Sequence, residues 1–379
     1  MRDVVIGTVG MSRFQKRPEV DVAEIGAEIV AEVLLRANLR PEDIPAGFCG
    51  SMFGGSLIGQ RVFQLAGISG APVVNVENAC ASGATAFSQA CAAVQAGQYD
   101  LAVVVGVDKL SSLGGGALPL NPTDPEVSKG SVMPSVYAMR AQRYLFETGL
   151  AAEELAHVVV KNRGNGAKNP NAHFQAGVEF DEVITSRMVA DPLTLLQCCA
   201  NSDGAAVALV GTRDALRGLG LDLVTVLASV VQSGRFSNGA RDLTRPDISV
   251  TAVQAAYSQA ELKPRDLDLA EVHDAFSIGE LLYYEVLGLS DRETAMRDLK
   301  QGDFDIDGRV AVNPSGGLLS RGHPIGATGV AQLCEAYWQL TGEAGGRQIT
   351  GPSVAMTHVT GGGIAGVDNG ACSVHILTA

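Results

Sequence analysis

The spacing of hydrophobic residues along this chain changes several times, and each change predicts an element. Over Val20–Ala37 (VDVAEIGAEIVAEVLLRA) apolar positions recur every three and four residues, the mark of an amphipathic helix. Gly47–Phe53 is short and apolar, and Val73–Val76 reads as a strand. Ala81–Ala96 is rich in alanine and predicts a helix that Gly97 stops. Leu101–Val107 (LAVVVGV) is apolar without alternation, like strands of a parallel sheet covered on both faces. This β-α-β alternation predicts a layered α/β fold.

Between about Ser111 and Asn201 the texture changes. A Gly/Pro-rich stretch (SSLGGGALPLNPTDP) is followed by helical patterns near Pro134–Thr148 and Ala151–Gly166 and by a polar loop, KNRGNGAKNPNAH. We read this as an insertion over the layered core. Alternation resumes with strands near Ala205–Val210, Leu223–Val231 and Leu267–Val272 and a helix near Val250–Ala260.

The chain also matches itself. Shifted by 243 residues, CASGATAFSQACAA (Cys80–Ala93) overlies HPIGATGVAQLCEA, and six of fourteen positions agree. The expected organisation is two related halves, 1–215 and 216–379, with the insertion (about 111–201) in the first. Cys80 and His323 then hold equivalent places, each just before a helix.

Composition narrows the class. Hydrophobic residues make up 46% and charged residues 18%, which excludes general disorder. A net charge of −13 argues against a nucleic-acid binder and requires local donors for an anionic substrate. The seven cysteines contain no CxxC pair, so neither a disulfide framework nor a structural zinc site is expected. The N-terminal stretch has too short an apolar run for a secretory signal, and no window spans a membrane. A soluble cytoplasmic protein is expected. Glycine, at 45 residues, stands well above the usual ~7%.

Four segments carry candidate chemistry. Cys80 lies between a strand (PVVNV) and an alanine-rich helix, where unpaired N–H groups and the helix dipole favour a thiolate. A buried, inert cysteine fits the same pattern. His323, in SGGLLSRGHPIGATG, could take the Cys80 proton if the two halves face each other, or could cap its turn. His273, in LAEVHDAFSIGE, could donate to a substrate carbonyl, or form with Asp274 the cap of the following helix. His358 precedes a triple-glycine loop that could present N–H groups to an oxyanion, or only make a tight turn. The loop cations Lys161, Arg163 and Lys168 could hold a phosphate, or be a solvated loop.

Together, NACASG around Cys80, HDAF at His273, GHPIGATG at His323 and HVTGGG near the C-terminus resemble the thiolase superfamily. PLTLLQCCANSDGAAVALV and VVKNRGNGAKNPNAHF are similar to segments of its sterol-carrier-protein and archaeal branch. The resemblance implies two βαβαβαββ halves packed as αβαβα layers, an inserted loop domain, and a homodimer or dimer of dimers. It implies a Cys80 acyl-enzyme, with His323 as base, His273 binding the thioester oxygen, and the N–H groups of Cys80 and Gly363 forming a second oxyanion site. Coenzyme A enters as substrate beneath the insertion, near Lys161, Arg163, Lys168 and Asn313. No permanently bound cofactor or metal is implied. Some relatives act with a small subunit that has a zinc ribbon and an OB-like fold. Others accept bulky or aromatic acyl groups, and others are retro-aldolases, which typically lack the nucleophilic cysteine.

One departure stands out. The family's second cysteine falls either in a CxGGGxG loop or in HDCF; here Val359 and Ala275 occupy those places. Cys372 lies beyond the loop and is a poor substitute, so His358 is the expected replacement for proton transfer.

Overall fold

The computed structural model describes residues 2–124, 126–235, 242–363 and 369–379. The first half runs β1 (Val4–Met11), α1 (Val22–Arg36), β2 (Gly47–Gly50), α2 (Ile58–Leu65), β3 (Val73–Val76), α3 (Ser82–Gln95) and β4 (Leu101–Lys109). The insertion holds α4 (Met133–Thr148), α5 (Ala156–Gly166), α6 (Phe180–Thr185) and the hairpin β5 (Met188–Ala190) and β6 (Leu193–Thr194). β7 (Asp203–Thr212) and α7 (Arg213–Leu216) follow. The second half runs β8 (Val224–Ser233), α8 (Asp247–Ala260), β9 (Leu269–Glu271), α9 (Ser277–Val286), α10 (Ala295–Lys300), β10 (Ala311–Val312), α11 (Gly317–Arg321), α12 (Ile325–Thr341), β11 (Val354–Gly361) and β12 (Ala371–Thr378).

Ten strands line up as β10-β9-β11-β12-β8-β1-β7-β4-β2-β3. Exchanging β1, β2, β3, β4 and β7 for β8, β9, β10, β11 and β12 turns this order into its own reverse. The directions match as well: β2 is parallel to β3 and β4 as β9 is to β10 and β11, while β7 and β12 run antiparallel to their neighbours. The two five-stranded sets meet through the pairs Val5 with Thr225 and Ile6 with Val224. The internal match read from fourteen residues is therefore a match of whole halves.

Three apolar clusters separate five layers. One packs α1 and α2 on the first sheet, and another packs the insertion, α8 and α9 on the second. The central cluster holds α3 and α12 between the sheets. α12 is buried on every side from Ile325 to Leu340, as an apolar helix must be in a middle layer. Its one carboxylate, Glu335, is paired at 2.9 Å with buried Arg347. This is the expected αβαβα arrangement, and glycines make its centre possible. A Cβ at Gly83 would come within 2.3 Å of the Gly326 carbonyl, and one at Gly326 within 2.6 Å of the Gly50 carbonyl.

The element ends differ slightly from those predicted, and one assignment needs correction. Lys161–Gly166 is the last stretch of α5, as the helical pattern to Gly166 predicts, and not part of the polar loop read over the same residues. Its polar residues face a buried network instead of water, a context that hydropathy alone cannot distinguish. Among the described residues no helix is long and apolar enough to cross a membrane.

Candidate active site

β3 delivers the chain to a sharp turn before Cys80. Ala79 takes φ 48°, in the left-handed region, which costs an ordinary residue about 1–2 kcal/mol. The Glu77 carboxylate accepts the Ala79 N–H at 2.7 Å, and the Ser82 hydroxyl accepts the Asn78 N–H at 2.9 Å. These bonds hold the turn and set the Cys80 sulfur at the start of α3. Asp108, at the end of β4, ties the halves together. Its buried carboxylate accepts from Ser51 Oγ and from the N–H groups of Met52, Phe53 and, at the first turn of α12, Gly326.

His323 precedes α12 as Cys80 precedes α3. Its Nδ1 lies 2.6 Å from Thr328 Oγ1, and that hydroxyl donates to the Pro324 carbonyl at 3.0 Å. The hydroxyl proton is thereby used, so Nδ1 must be the donor to Thr328. Nε2 is left unprotonated and free to accept a proton. The His273 ring stands 5.2 Å from that of His323, nearly perpendicular to it, and its buried Nδ1 has no hydrogen-bond partner among the described residues. The Cys80 sulfur and a ring nitrogen of each histidine lie within 4.8 Å of one another. Such a trio is compact enough to ligate a metal ion; the same compactness suits a nucleophile with its base.

Beneath His273 is a wholly buried polar network. Asp274 accepts from Asn162 Nδ2 and the N–H groups of Leu318 and Leu319, so it caps α11; the sequence reading has it capping the helix that follows it. Glu280 accepts from Asn162, Asn313 and Tyr284 and pairs with Lys161 at 2.9 Å. Lys161 also donates to the Val312 carbonyl, and Arg163 stacks at 3.7 Å on Phe174. Lys161, Arg163 and Asn313 therefore face inward and support the site, which corrects their expected place at a CoA phosphate. Lys168 is exposed.

Cys80 opens onto a cavity of about 580 Å³ beneath the insertion. His273, His323, Thr360 and Gly362 share its wall, as do Met133 and Tyr137 of the insertion. Elsewhere on the insertion, Met139 lines an adjoining cavity of about 420 Å³ and Tyr144 is buried in the core. Gly361–Gly363 border that second cavity, with Gly363 exposed; residues 364–366 of the glycine motif lie outside the described residues. His358 lines neither cavity. It is buried on β11 with Nε2 3.0 Å from Ser249 Oγ and its ring against Tyr283. This corrects its expected role as the second proton carrier: it braces the wall. The sequence reading missed Cys198, Cys199, Lys16 and Arg187, all in the cavity wall. It also missed Asp108 and Thr328, whose roles come from contacts between halves.

Burial governs the ionisation here. It raises the Cys80 thiol to about 12, although N–H bonds from Gly362 and from Cys80 itself act downward. Burial also lowers His273 to about 3 and His323 well below its usual value. The resting pair is therefore a neutral thiol and a neutral imidazole, not the thiolate the helix terminus alone would predict. Alkylation of Cys80 by iodoacetamide should keep accelerating as pH rises through 7 to 9. A plateau below pH 8 would mean a preformed thiolate–imidazolium pair.

A family model described as the thiolase N-terminal domain matches residues 4–214, and one described as thiolase C-terminal domain-like matches 229–369. The chain belongs to the thiolase family. It is 40% identical to the benzoylsuccinyl-CoA thiolase subunit BbsB of Thauera aromatica over 96% of this chain and 95% of that one. It is 38% identical to an acetyl-CoA acetyltransferase of Methanothermobacter thermautotrophicus over the full length of both. Human sterol carrier protein 2 is 34% identical over 95% of this chain and 70% of its own. A solved structure titled Ltp2-ChsH2(DUF35) aldolase superposes with a TM-score of 0.86 at 24% identity over 100% of this chain and 98% of that one, which speaks to the fold alone. This thiolase is an acyltransferase that uses coenzyme A as substrate.

Proposed function

We propose that the chain cleaves a 3-oxoacyl-CoA thiolytically, or forms one in reverse, through an acyl-enzyme on Cys80. The observation that carries this is the Cys80, His273 and His323 cluster, within 4.8 Å, at a cavity large enough for an acyl thioester. His323 Nε2 takes the thiol proton as the sulfur attacks the 3-oxo carbon. The N–H groups of Cys80 and the glycine loop oppose the charge on that oxygen, and His273 binds the thioester oxygen of the departing half. Coenzyme A then takes the acyl group from Cys80.

An apolar wall that includes Leu118, Leu120, Met133, Tyr137 and Phe276 supports a bulky or aromatic acyl group. So does the 40% identity to a thiolase named for benzoylsuccinyl-CoA. Exposed Lys16 and Arg187 at the cavity rim take over the phosphate role expected of Lys161 and Arg163, beside exposed Lys168. The free edge strand β3, with exposed Val74 beside Leu57 and Leu65, supports a homodimer. Turnover and acid-quenched acyl-enzyme should be measured for 3-oxoacyl-CoA esters from acetoacetyl to benzoylacetyl. An aromatic ester should give the higher kcat/KM and a mass adduct on Cys80, and Arg187→Ala should raise KM for coenzyme A several-fold with little change in kcat. No adduct with any ester would overturn the reading.

A second reading is a subunit that needs a partner. Its support is that BbsB is itself described as a subunit, and that Met188, Val189 and Leu195 beside the cavity are exposed. Activity of the purified chain alone, against activity with a small zinc-ribbon and OB-fold protein encoded beside it, separates the two. A cytoplasmic setting fits either reading.

A further inference from the structure

Thiolysis needs two proton carriers, and the histidines account for one. His323 holds the proton taken from Cys80 until the acyl group leaves that sulfur. When the bond between C2 and C3 of the substrate breaks, the electron pair stays on C2 of the departing thioester and a second group must protonate it. His358 is walled off from the cavity, and Ala275 offers only a methyl group.

The strand that faces Ala275 offers a thiol. Cys198 and Phe276 form an isolated antiparallel bridge, and the Cys199 N–H donates to the Ala275 carbonyl at 2.9 Å. This register sets Cys199 directly opposite Ala275. Opposed residues of an antiparallel pair have Cβ atoms about 4.5–5.5 Å apart on one face. Cys199 and Ala275 line the same cavity as Cys80, His273 and His323. Cys198 also borders it, but its sulfur is engaged with the Thr194 carbonyl at 3.4 Å.

Resting on the thiolase reading, we propose that Cys199 is the second acid/base residue, its thiol supplied from the strand opposite Ala275. In the first half-reaction the Cys199 S–H gives its proton to C2 of the departing acyl-CoA and becomes a thiolate. In the second, the thiol of coenzyme A returns a proton to Cys199. The coenzyme A sulfur then attacks the acyl carbon, and the Cys80 sulfur leaves and recovers its proton from His323. Bonds and protons balance with no further reactant. Burial, with the Cys198, Asp274 and Cys80 groups nearby, raises the Cys199 thiol well above its usual value. It is therefore protonated at rest, as the first step requires.

The test separates C–C cleavage from acyl transfer. One assay follows thiolysis of acetoacetyl-CoA or benzoylacetyl-CoA, whichever wild type cleaves faster. The other follows exchange of the acyl group of the matching acyl-CoA into dephospho-coenzyme A, which uses Cys80 but breaks no C–C bond. Cys199→Ala should slow thiolysis ~10²–10⁴-fold, the usual worth of a general acid. Exchange should fall less steeply than thiolysis, since it loses Cys199 only as the carrier of the coenzyme A thiol proton and delivers no proton to carbon. Adding Ala275→Cys to Cys199→Ala restores a thiol on the opposed strand and should recover thiolysis at least tenfold. The proposal is overturned if Cys199→Ala cleaves within about threefold of wild type. It is also overturned if both reactions fall together and Ala275→Cys restores neither. Undiminished cleavage by Cys199→Ala would remove this proposal alone, whereas wild type that neither cleaves an ester nor exchanges acyl groups would remove the thiolase reading with it.

Discussion

Cys80→Ala should abolish acyl transfer to coenzyme A, lowering kcat by at least ~10⁴-fold, the scale seen when an enzyme loses its nucleophile. The fold should survive. Cys80 is half-buried at the wall of an open cavity, and removing one sulfur there leaves little new void, so the stability loss should be about 1 kcal/mol or less. The turn that holds residue 80 is built by Glu77, Asn78 and Ser82, none of which depends on the sulfur. Quenched mass spectrometry should show an acyl adduct on the wild-type protein and none on the variant, with unchanged denaturant midpoints. Retention of more than about 1% of wild-type turnover would sink the acyl-enzyme route and leave a direct attack by coenzyme A, or aldol chemistry, in its place.

Much of this was legible in the sequence because it repeats. The six shared positions between Cys80–Ala93 and the stretch from His323 mark the two central helices, and the close approach of Gly83 to Gly326 explains why GAT occurs in both. The nucleophile and both site histidines were readable because each ends a strand or loop just before a helix, a position that leaves local signatures. What was not legible depends on contacts across the fold. The polarity of Lys161 and Asn162 suggested a solvated loop, but their partners Glu280 and Asp274 lie more than a hundred residues away. His358 stood next to a glycine loop in sequence, yet its ring is buried against Ser249 and Tyr283 and does not line the cavity. Cys199 was hidden for the opposite reason. Nothing local distinguishes it, and only the pairing of its strand with the HDAF segment brings its thiol to the cavity.

The glycine excess and the acidic charge also have physical locations. Gly50, Gly83, Gly106 and Gly326 let the two halves meet backbone to backbone at the centre. This close contact fixes the relation between Cys80 and His323, since each heads one of the two helices involved. Three inward-facing polar residues that looked like a substrate site are its foundation, and the cations left for an anionic substrate stand at the cavity rim.

That foundation makes His323 the residue whose loss should come next in effect. His323→Ala should lower kcat/KM for thiolysis by ~10²–10⁴-fold, because a thiol raised to about 12 needs a base to react near neutral pH. The residual rate should rise with pH, since hydroxide then supplies the thiolate that the imidazole no longer does. Thr328→Val tests the cause more finely. It keeps the ring and its packing but removes the acceptor of the Nδ1 proton at 2.6 Å, so the ring can carry its proton on Nε2 and lose its basic atom toward Cys80. We expect a ~10-fold or greater fall in both thiolysis and iodoacetamide labelling of Cys80 at pH 7. Thr328→Ser, which restores the hydroxyl, should return most of it. A buried threonine with a merely structural role would lower the denaturation midpoint of the valine variant and leave the labelling rate at wild type; that result would detach Thr328 from the tautomer. Equal labelling rates in wild type and His323→Ala across pH 6 to 9 would go further and remove His323 as the base.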